Sequence, residues 1–193
     1  MGIEFELKYR ATAAAQEAIR YAYPGPWETL RMETTYYDTP AGELSDRWYT
    51  LRRRMENDTA VCTVKTPVDE IGRGEWEVRE NEIHKAIPEL CKLGAPEDLL
   101  ALTKDGVHAV CGARFTRQAL TVRFGSSLLE LALDSGILFA GERQEALCEV
   151  EAELKEGTRE DALAFGAVLA KAYGLTVEKK SKFRRALALR EEQ

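Results

Sequence analysis

The strongest constraint on the fold is an alternation of charged and apolar side chains that recurs along this chain. Residues 3–9 read IEFELKY, so large apolar residues alternate with Glu4, Glu6 and Lys8. Successive side chains of an extended strand point to opposite faces of a sheet, so this spacing predicts a strand with one apolar and one charged face. The charged face of such a strand must contact either solvent or a ligand.

Similar patterns predict the remaining secondary structure. Runs rich in alternating, β-branched and aromatic residues predict strands over residues 28–38, 48–55, 60–66, 73–80, 107–124, 128–134 and 146–154. Helical spacing predicts helices over residues 11–20, in two short segments between 83 and 103, and in two C-terminal segments within 158–190. In the first C-terminal helix, the residues expected to help form the buried stripe are Leu163, Ala167, Leu169 and Ala170. Short connections between strands favour an antiparallel sheet.

Composition narrows the class of protein. The 193 residues are 45% hydrophobic, which suits a single domain spanning residues 1–193. With 33 acidic and 27 basic residues the net charge is −6, which argues against a general nucleic-acid-binding protein. Four scattered cysteines, no leader and no long apolar run favour a cytoplasmic protein with free thiols and no membrane partner. A homodimer is compatible with these observations.

The charges are segregated by strand. Glu149, Glu151 and Glu153 share one strand face, whereas Arg52 and Arg54 share another. An open sheet with an ordinary solvated face would also be charged, but it would usually pair opposite charges across strands. Facing carboxylates suit Mg²⁺ or Mn²⁺, and Arg and Lys side chains suit phosphate oxygens. The pattern therefore favours a hydrated pocket for a metal–polyphosphate complex, enclosed if the sheet closes into a barrel.

Nine ordered blocks of sequence carry a resemblance to a known family. ExExK at 4–8 is followed by YYDTP at 36–40, LRRR at 51–54, TVK at 63–65, RGEWE at 73–77, FTR at 115–117, LELALDSG at 129–136, CEVEAELKEG at 148–157 and SKFRR at 181–185. Together they resemble the CYTH, or triphosphate tunnel metalloenzyme, superfamily. This resemblance implies an α+β fold, an eight-stranded antiparallel β-barrel with flanking helices. The blocks look most like bacterial inorganic triphosphatases, which hydrolyse tripolyphosphate to pyrophosphate and phosphate with a divalent metal.

The resemblance also implies roles for individual residues. Metal ligands, direct or through water, would be Glu4, Glu6, Asp134, Glu149 and Glu151. The phosphates of a small-molecule triphosphate would be bound by Lys8, Arg52, Arg54, Lys65, Arg117, Lys182 and Arg185. The catalytic set would consist of Glu4, Glu6, Lys8, Arg52, Arg54 and Lys65. Residues on the same faces that could act in the site or only as ion-pair partners are Glu75, Glu77, Glu130, Glu153, Arg73 and Arg123.

Alternative functions remain open at this point. Thiamine triphosphatases and class IV adenylate cyclases belong to the same superfamily, and a noncatalytic polyphosphate- or nucleotide-binding module would keep the basic residues. Intact acidic positions favour an enzyme over such a module. Trp48 and Trp76 are expected to pack in the barrel wall, and Arg53 is expected on the opposite face from Arg52 and Arg54.

Overall fold

The computed structural model describes residues 2–69 and 72–190, apart from the side chains of Gly2 and Ile3. The strands are β1 (Gly2–Glu4), β2 (Glu6–Arg10), β3 (Glu28–Asp38), β4 (Thr50–Glu56), β5 (Thr59–Pro67), β6 (Arg73–Val78), β7 (His108–Phe124), β8 (Ser127–Ala140), β9 (Arg143–Glu156) and β10 (Thr176–Val177). The helices are α1 (Ala13–Ala22), α2 (Glu43–Asp46), α3 (Ile83–Lys92), α4 (Asp98–Leu102), α5 (Arg159–Tyr173) and α6 (Lys182–Ala188). Within the described ranges, no helix combines the length and apolar character needed to cross a membrane. The predicted apolar side chain of Ile3 lies outside the described part.

All strand pairs are antiparallel, in the order β1-β6-β5-β4-β3-β7-β8-β9-β2-β10. The strands β1 and β2 are two halves of one N-terminal segment, interrupted at Phe5. Because β1 pairs with β6 and β2 pairs with β9, the chain itself joins the two ends of the hydrogen-bonded order. Counting β1 and β2 as one strand and setting aside the two-residue β10 gives eight principal strands among the described residues. The predicted barrel with flanking helices is therefore confirmed, with a seam at Phe5.

The strand β8 is longer than the sequence pattern indicates. The prediction ended this strand at residue 134, before Ser135 and Gly136, but β8 continues to Ala140. Gly136 faces Phe115 of β7, and a Cβ atom at Gly136 would lie 2.5 Å from the Phe115 Cα atom. This glycine therefore permits a close approach of two strands and does not form a turn.

Helices cover two apolar regions on the outer face of the sheet. One cluster joins Leu131 and Val150 to Phe165 of α5, and a second joins Leu51 and Trp76 to Leu90 of α3. Trp76 therefore packs against the barrel wall as predicted. Burial of these apolar side chains contributes about 1.5–3 kcal/mol each to the free energy of folding.

The predicted buried stripe of α5 is wrong at two positions. Leu169 is buried, but Leu163 is 48% exposed and Ala167 is also exposed. The buried face is instead centred on Phe165 and Gly166. Gly166 has no Cβ atom, so the helix comes close enough to contact Tyr9 and Leu7 of β2, and this contact sets its rotation about its axis.

The short helix α6 packs on the other face of the sheet. Its Phe183 ring lies 5.1 Å from the Tyr36 ring, measured between centroids, and the Cys111 thiol is 3.9 Å from the Phe183 carbonyl oxygen. Tyr36 is the register partner of Arg52, so α6 lies on the face that carries the charged side chains. The Ser181 side chain caps the helix by accepting a hydrogen bond from the Arg184 amide.

We predict that Gly166→Ala destabilises the protein by about 1–3 kcal/mol, although Gly→Ala normally stabilises a helix. The added Cβ atom would overlap the Tyr9 hydroxyl and lie 2.6 Å from Leu7 Cδ1. Urea denaturation measures the change in unfolding free energy. Adding Tyr9→Phe removes the overlapping hydroxyl and should recover part of the loss. A stabilised Gly166→Ala variant would contradict this packing.

Candidate metal and phosphate site

Strand register brings the predicted charged residues onto one face of the sheet. Lys8 lies opposite Glu151, Glu149 lies opposite Asp134, and Asp134 lies opposite Arg117. On the other side of the barrel Lys65 lies opposite Glu75. The ten predicted strand residues on this face are Glu4, Glu6, Lys8, Arg52, Arg54, Lys65, Arg117, Asp134, Glu149 and Glu151. The helix α6 adds Lys182 and Arg185 to them.

Lys182 lies at the centre of a buried ionic cluster. Its Nζ atom is 2.9 Å from Asp134, 2.7 Å from Glu149 and 2.5 Å from Glu151. Arg117 donates two hydrogen bonds of 2.8 Å to Asp134 and another to Glu151. Arg185 donates to Glu149. The three carboxylate residues are 0–3% exposed, so three basic side chains neutralise three acidic ones away from solvent.

The pKa shifts within this cluster follow from the ion pairs. Burial alone would raise the pKa of Glu151, but Lys182 and Arg117 outweigh it and hold this pKa well below its usual value. Burial alone would lower the pKa of Lys182, but Asp134 and Glu151 raise it well above its usual value. Each charge therefore stabilises the others in the ionised state.

A second group of three carboxylates lies on the same charged face of the sheet. Oxygen atoms of Glu4, Glu6 and Glu153 lie within 4.8 Å of one another. Glu4 accepts a hydrogen bond of 2.5 Å from Lys65, and Glu6 lies 3.4 Å from Lys8. Burial and the neighbouring carboxylates of Glu151 and Glu4 nevertheless raise the pKa of Glu6 to about 7. Burial is the largest cause of this rise, and Lys8 and Lys65 offset only part of it. Glu4 is paired with Lys65, and Glu153 with Lys155 at 2.8 Å.

The carboxylates of Glu4, Glu6 and Glu153 therefore fit a divalent cation. Three hard oxygen donors converge, and a cation would favour the ionised form of Glu6, whose pKa is raised by burial and by neighbouring carboxylates. Asp134, Glu149 and Glu151 also lie close enough together to hold a metal, but their oxygens already contact Lys182, Arg117 and Arg185. The five predicted metal ligands are thus divided between two groups.

Glu153 had only a weak assignment from the sequence. It lies opposite Glu6 in the β2–β9 register, and this pairing places it in the first carboxylate group. The CEVEAE spacing in the sequence puts Glu153 on the same face as Glu149 and Glu151. Its partner across the strands could not be read from that spacing.

The basic residues facing this site combine ion pairs to carboxylates with repulsion between neighbouring guanidinium groups. Arg52 and Lys65 contact the same Glu75 oxygen at 3.5 Å and 3.3 Å. Arg54 is 8% exposed, and burial together with the charges of Arg52 and Arg117 lowers its pKa. The buried Nε of Arg52 has no hydrogen-bond partner among the described residues. These groups can accept an anion with several oxygens, such as a phosphate chain.

The other residues whose role the sequence left open differ in their exposure and in their ion-pair partners. Glu75 bridges Arg52 and Lys65, and Glu130 lies 3.7 Å from Arg117. Arg123 and Glu77 are exposed. Arg73 lies opposite Glu4 across the β1–β6 pair and is half-buried.

Two further predictions concern the positions of Trp48 and Arg53. The expectation that Trp48 packs in the wall is wrong, since it is 62% exposed with φ of 61° and lies under the Arg184 guanidinium at 4.1 Å. Arg53 lies on the opposite face from Arg52, as expected, and donates to Asn81.

Several contacts of the site were not anticipated from the sequence. Arg185 is held by Glu145 at 2.5 Å and lies 3.9 Å from Glu178. The Lys182 Nζ atom lies 5.4 Å from the centroid of the Phe115 ring. Glu145 lies 40 residues from Arg185 in the chain, and docking of α6 brings the two together. Glu178 lies just before α6, but no motif in the sequence marks it as a partner of Arg185.

Comparison with known proteins agrees with this architecture. An inorganic triphosphatase from Haemophilus influenzae is 29% identical over 140 residues, which cover 72% of this chain and 40% of the relative. The chain thus spans about two fifths of that relative's length. The PH1819 protein from Pyrococcus horikoshii has a TM-score of 0.66 at 22% identity, covering 96% of this chain and 98% of the other.

A second structural neighbour is HpAC1 from Hippeastrum, described as a putative adenylyl cyclase with a dominant triphosphatase activity. It has a TM-score of 0.63 at 20% identity and covers 97% of this chain and 95% of its own. At these identities the two structures support the fold alone. The CYTH domain family matches residues 2–187, which is nearly the whole sequence. The chain therefore belongs to the CYTH domain family.

Proposed function

We propose that this protein hydrolyses inorganic triphosphate to pyrophosphate and phosphate, using Mg²⁺ or Mn²⁺. The observation that carries this proposal is the arrangement of charged groups on the inner face. The carboxylates of Glu4, Glu6 and Glu153 converge on this face, where burial and neighbouring carboxylates raise the pKa of Glu6. The same face carries Arg54, whose pKa is lowered by burial and by the charges of Arg52 and Arg117. A metal–triphosphate complex has the complementary arrangement of one cation and a row of anionic oxygens.

Each group of residues has a defined task in this reaction. Arg52, Arg54 and Lys65 bind phosphate oxygens and hold the chain in one orientation, while Glu4 and Glu6 with Glu153 would hold the metal. A bound divalent metal supplies charge neutralisation and polarises the phosphoryl oxygens. Phosphoryl transfer needs little covalent participation by protein, so positioning and electrostatic stabilisation account for most of the acceleration.

Lys182 has a supporting task in this proposal. It holds the carboxylates of Asp134, Glu149 and Glu151 in fixed positions beside the metal-binding group. Glu151 in turn raises the pKa of Glu6, so the ionic cluster contributes to the negative potential that favours the metal. Lys182, Arg117 and Arg185 could also contact phosphates.

The relatives support a triphosphatase over the alternatives. The Haemophilus influenzae relative is named an inorganic triphosphatase, and the description of the Hippeastrum protein reports a dominant triphosphatase activity. A noncatalytic binding module would have no use for three converging carboxylates. Thiamine triphosphate and ATP remain alternative substrates, and a comparison of products distinguishes them.

We predict that the protein releases phosphate from tripolyphosphate with a higher kcat/KM than from thiamine triphosphate or ATP. Activity should require Mg²⁺ or Mn²⁺ and should be lost in EDTA, because the carboxylate group then holds no cation. Phosphate release, with chromatography of the products, measures each reaction. Full activity in EDTA would contradict the proposed mechanism, and cyclic AMP with pyrophosphate as the main products from ATP would indicate a cyclase.

We predict that Glu6→Gln and Arg54→Ala each lower kcat/KM for tripolyphosphate by about 10²–10³, the usual effect of removing one electrostatic contact to a transition state. Matched controls carry the same changes on the outer face. Arg53→Ala removes an arginine from the adjacent position of the same strand, and Glu33→Gln removes an exposed carboxylate of β3. Both controls should keep near-normal activity. Equal losses in a variant and its control would count against these assignments.

A further inference from the structure

One end of the barrel is closed by α6. Phe183 packs against Tyr36, and Arg184 donates a hydrogen bond of 2.6 Å to the Ser45 carbonyl oxygen. Arg143, at the start of β9, donates a hydrogen bond of 2.9 Å to the Leu189 carbonyl oxygen just after this helix. These contacts lie where β3 ends and β9 begins. A linear substrate bound inside would therefore extend toward the opposite end, away from α6.

The opposite end opens into a cavity of about 350 Å³. Its lining consists of Leu30, Glu56, Asn57, Thr59, Val61, Glu77, Val78 and Arg79. Register connects this cavity to the charged inner face, because Val61 lies opposite Arg54 and Glu77 lies opposite Thr63. The cavity is thus the continuation of the phosphate-binding face beyond Arg54.

The lining of this cavity is more acidic than the neighbouring face that carries Arg52 and Arg54. Along β4, Arg52 and Arg54 are followed by Glu56, whose carboxylate lies 3.4 Å from the Arg54 guanidinium. Along β6, Glu75 is paired with Lys65, but the next residue on the face is Glu77, which is exposed. The cavity lining contains two carboxylates, Glu56 and Glu77, and one guanidinium, Arg79.

We propose that Glu56 and Glu77 limit the length of the phosphate chain that this protein accepts. This inference rests on the proposed function. On this inference a triphosphate occupies the inner face as far as Arg54, and a fourth phosphate would enter the cavity, where two carboxylates outnumber the one guanidinium of Arg79. Each additional phosphate carries about one further negative charge, which the half-buried Glu56 and the exposed Glu77 would repel. The repulsion by Glu77 is the weaker of the two because water screens an exposed charge. Glu56 and Glu77 are therefore specificity-determining residues that act against the longer chain.

The test compares tripolyphosphate with linear tetrapolyphosphate in wild type, Glu77→Gln and Glu56→Gln/Glu77→Gln. We expect the ratio of kcat/KM for tetrapolyphosphate to that for tripolyphosphate to rise about tenfold in the double variant, a typical effect of removing charge repulsion near a bound anion. Glu77→Gln alone should raise it by a smaller factor. No ion pair joins Glu77 to Arg54 in the described part of the chain, so this variant separates repulsion from a change at Arg54.

The matched control is Glu33→Gln, which removes the same charge from the outer face and should leave the ratio unchanged. Calorimetric binding of both polyphosphates in EDTA gives a second ratio that does not depend on turnover. Unchanged ratios in both Glu77→Gln and the double variant would overturn the inference while leaving the triphosphatase proposal intact. Absence of tripolyphosphate hydrolysis would refute the proposed function, and the binding ratio would still decide the role of Glu56 and Glu77.

Discussion

The structure depends on neutralising a charged sheet face that the barrel turns inward. An unpaired ion taken out of water costs several kcal/mol, so the enclosed carboxylates need partners. Lys182 supplies one partner to Asp134, Glu149 and Glu151 together, and it comes from the last helix of the fold. Docking of α6 therefore both covers one end of the barrel and neutralises charges in the barrel interior.

The neutralisation is incomplete in two neighbouring places. Burial and neighbouring carboxylates raise the pKa of Glu6, and burial and neighbouring guanidinium groups lower the pKa of Arg54. A folded protein that only needed stability would gain from pairing these groups directly. Converging carboxylates and closely spaced guanidinium groups on one inner face are the features from which we propose binding of a cation together with a polyanion.

Much of this arrangement could be predicted from local patterns. Alternation of charged and apolar residues identified the strands and placed Glu4 with Glu6, Arg52 with Arg54 and Glu149 with Glu151 on shared strand faces, because the side-chain period of a strand is two. Sequence patterns gave the wrong strand end and the wrong helix face where a glycine contacts a residue that is distant in the chain. Gly136 permits the approach of β7, and Gly166 sets the rotation of α5 through Tyr9, so neither role is visible in neighbouring residues.

The sequence by itself determined which residues share a strand face and that like charges cluster on those faces, since both follow from spacing along a single strand. That these faces turn inward was implied by the resemblance to a known family. Only the tertiary structure decided which charges meet. Register placed Glu153 opposite Glu6 and so moved it into the candidate metal group, while α6 assigned Lys182 to Asp134, Glu149 and Glu151. These pairings depend on strand order, barrel closure and the docking of a helix across long sequence separations. Spacing of residues along the chain carries no information about them.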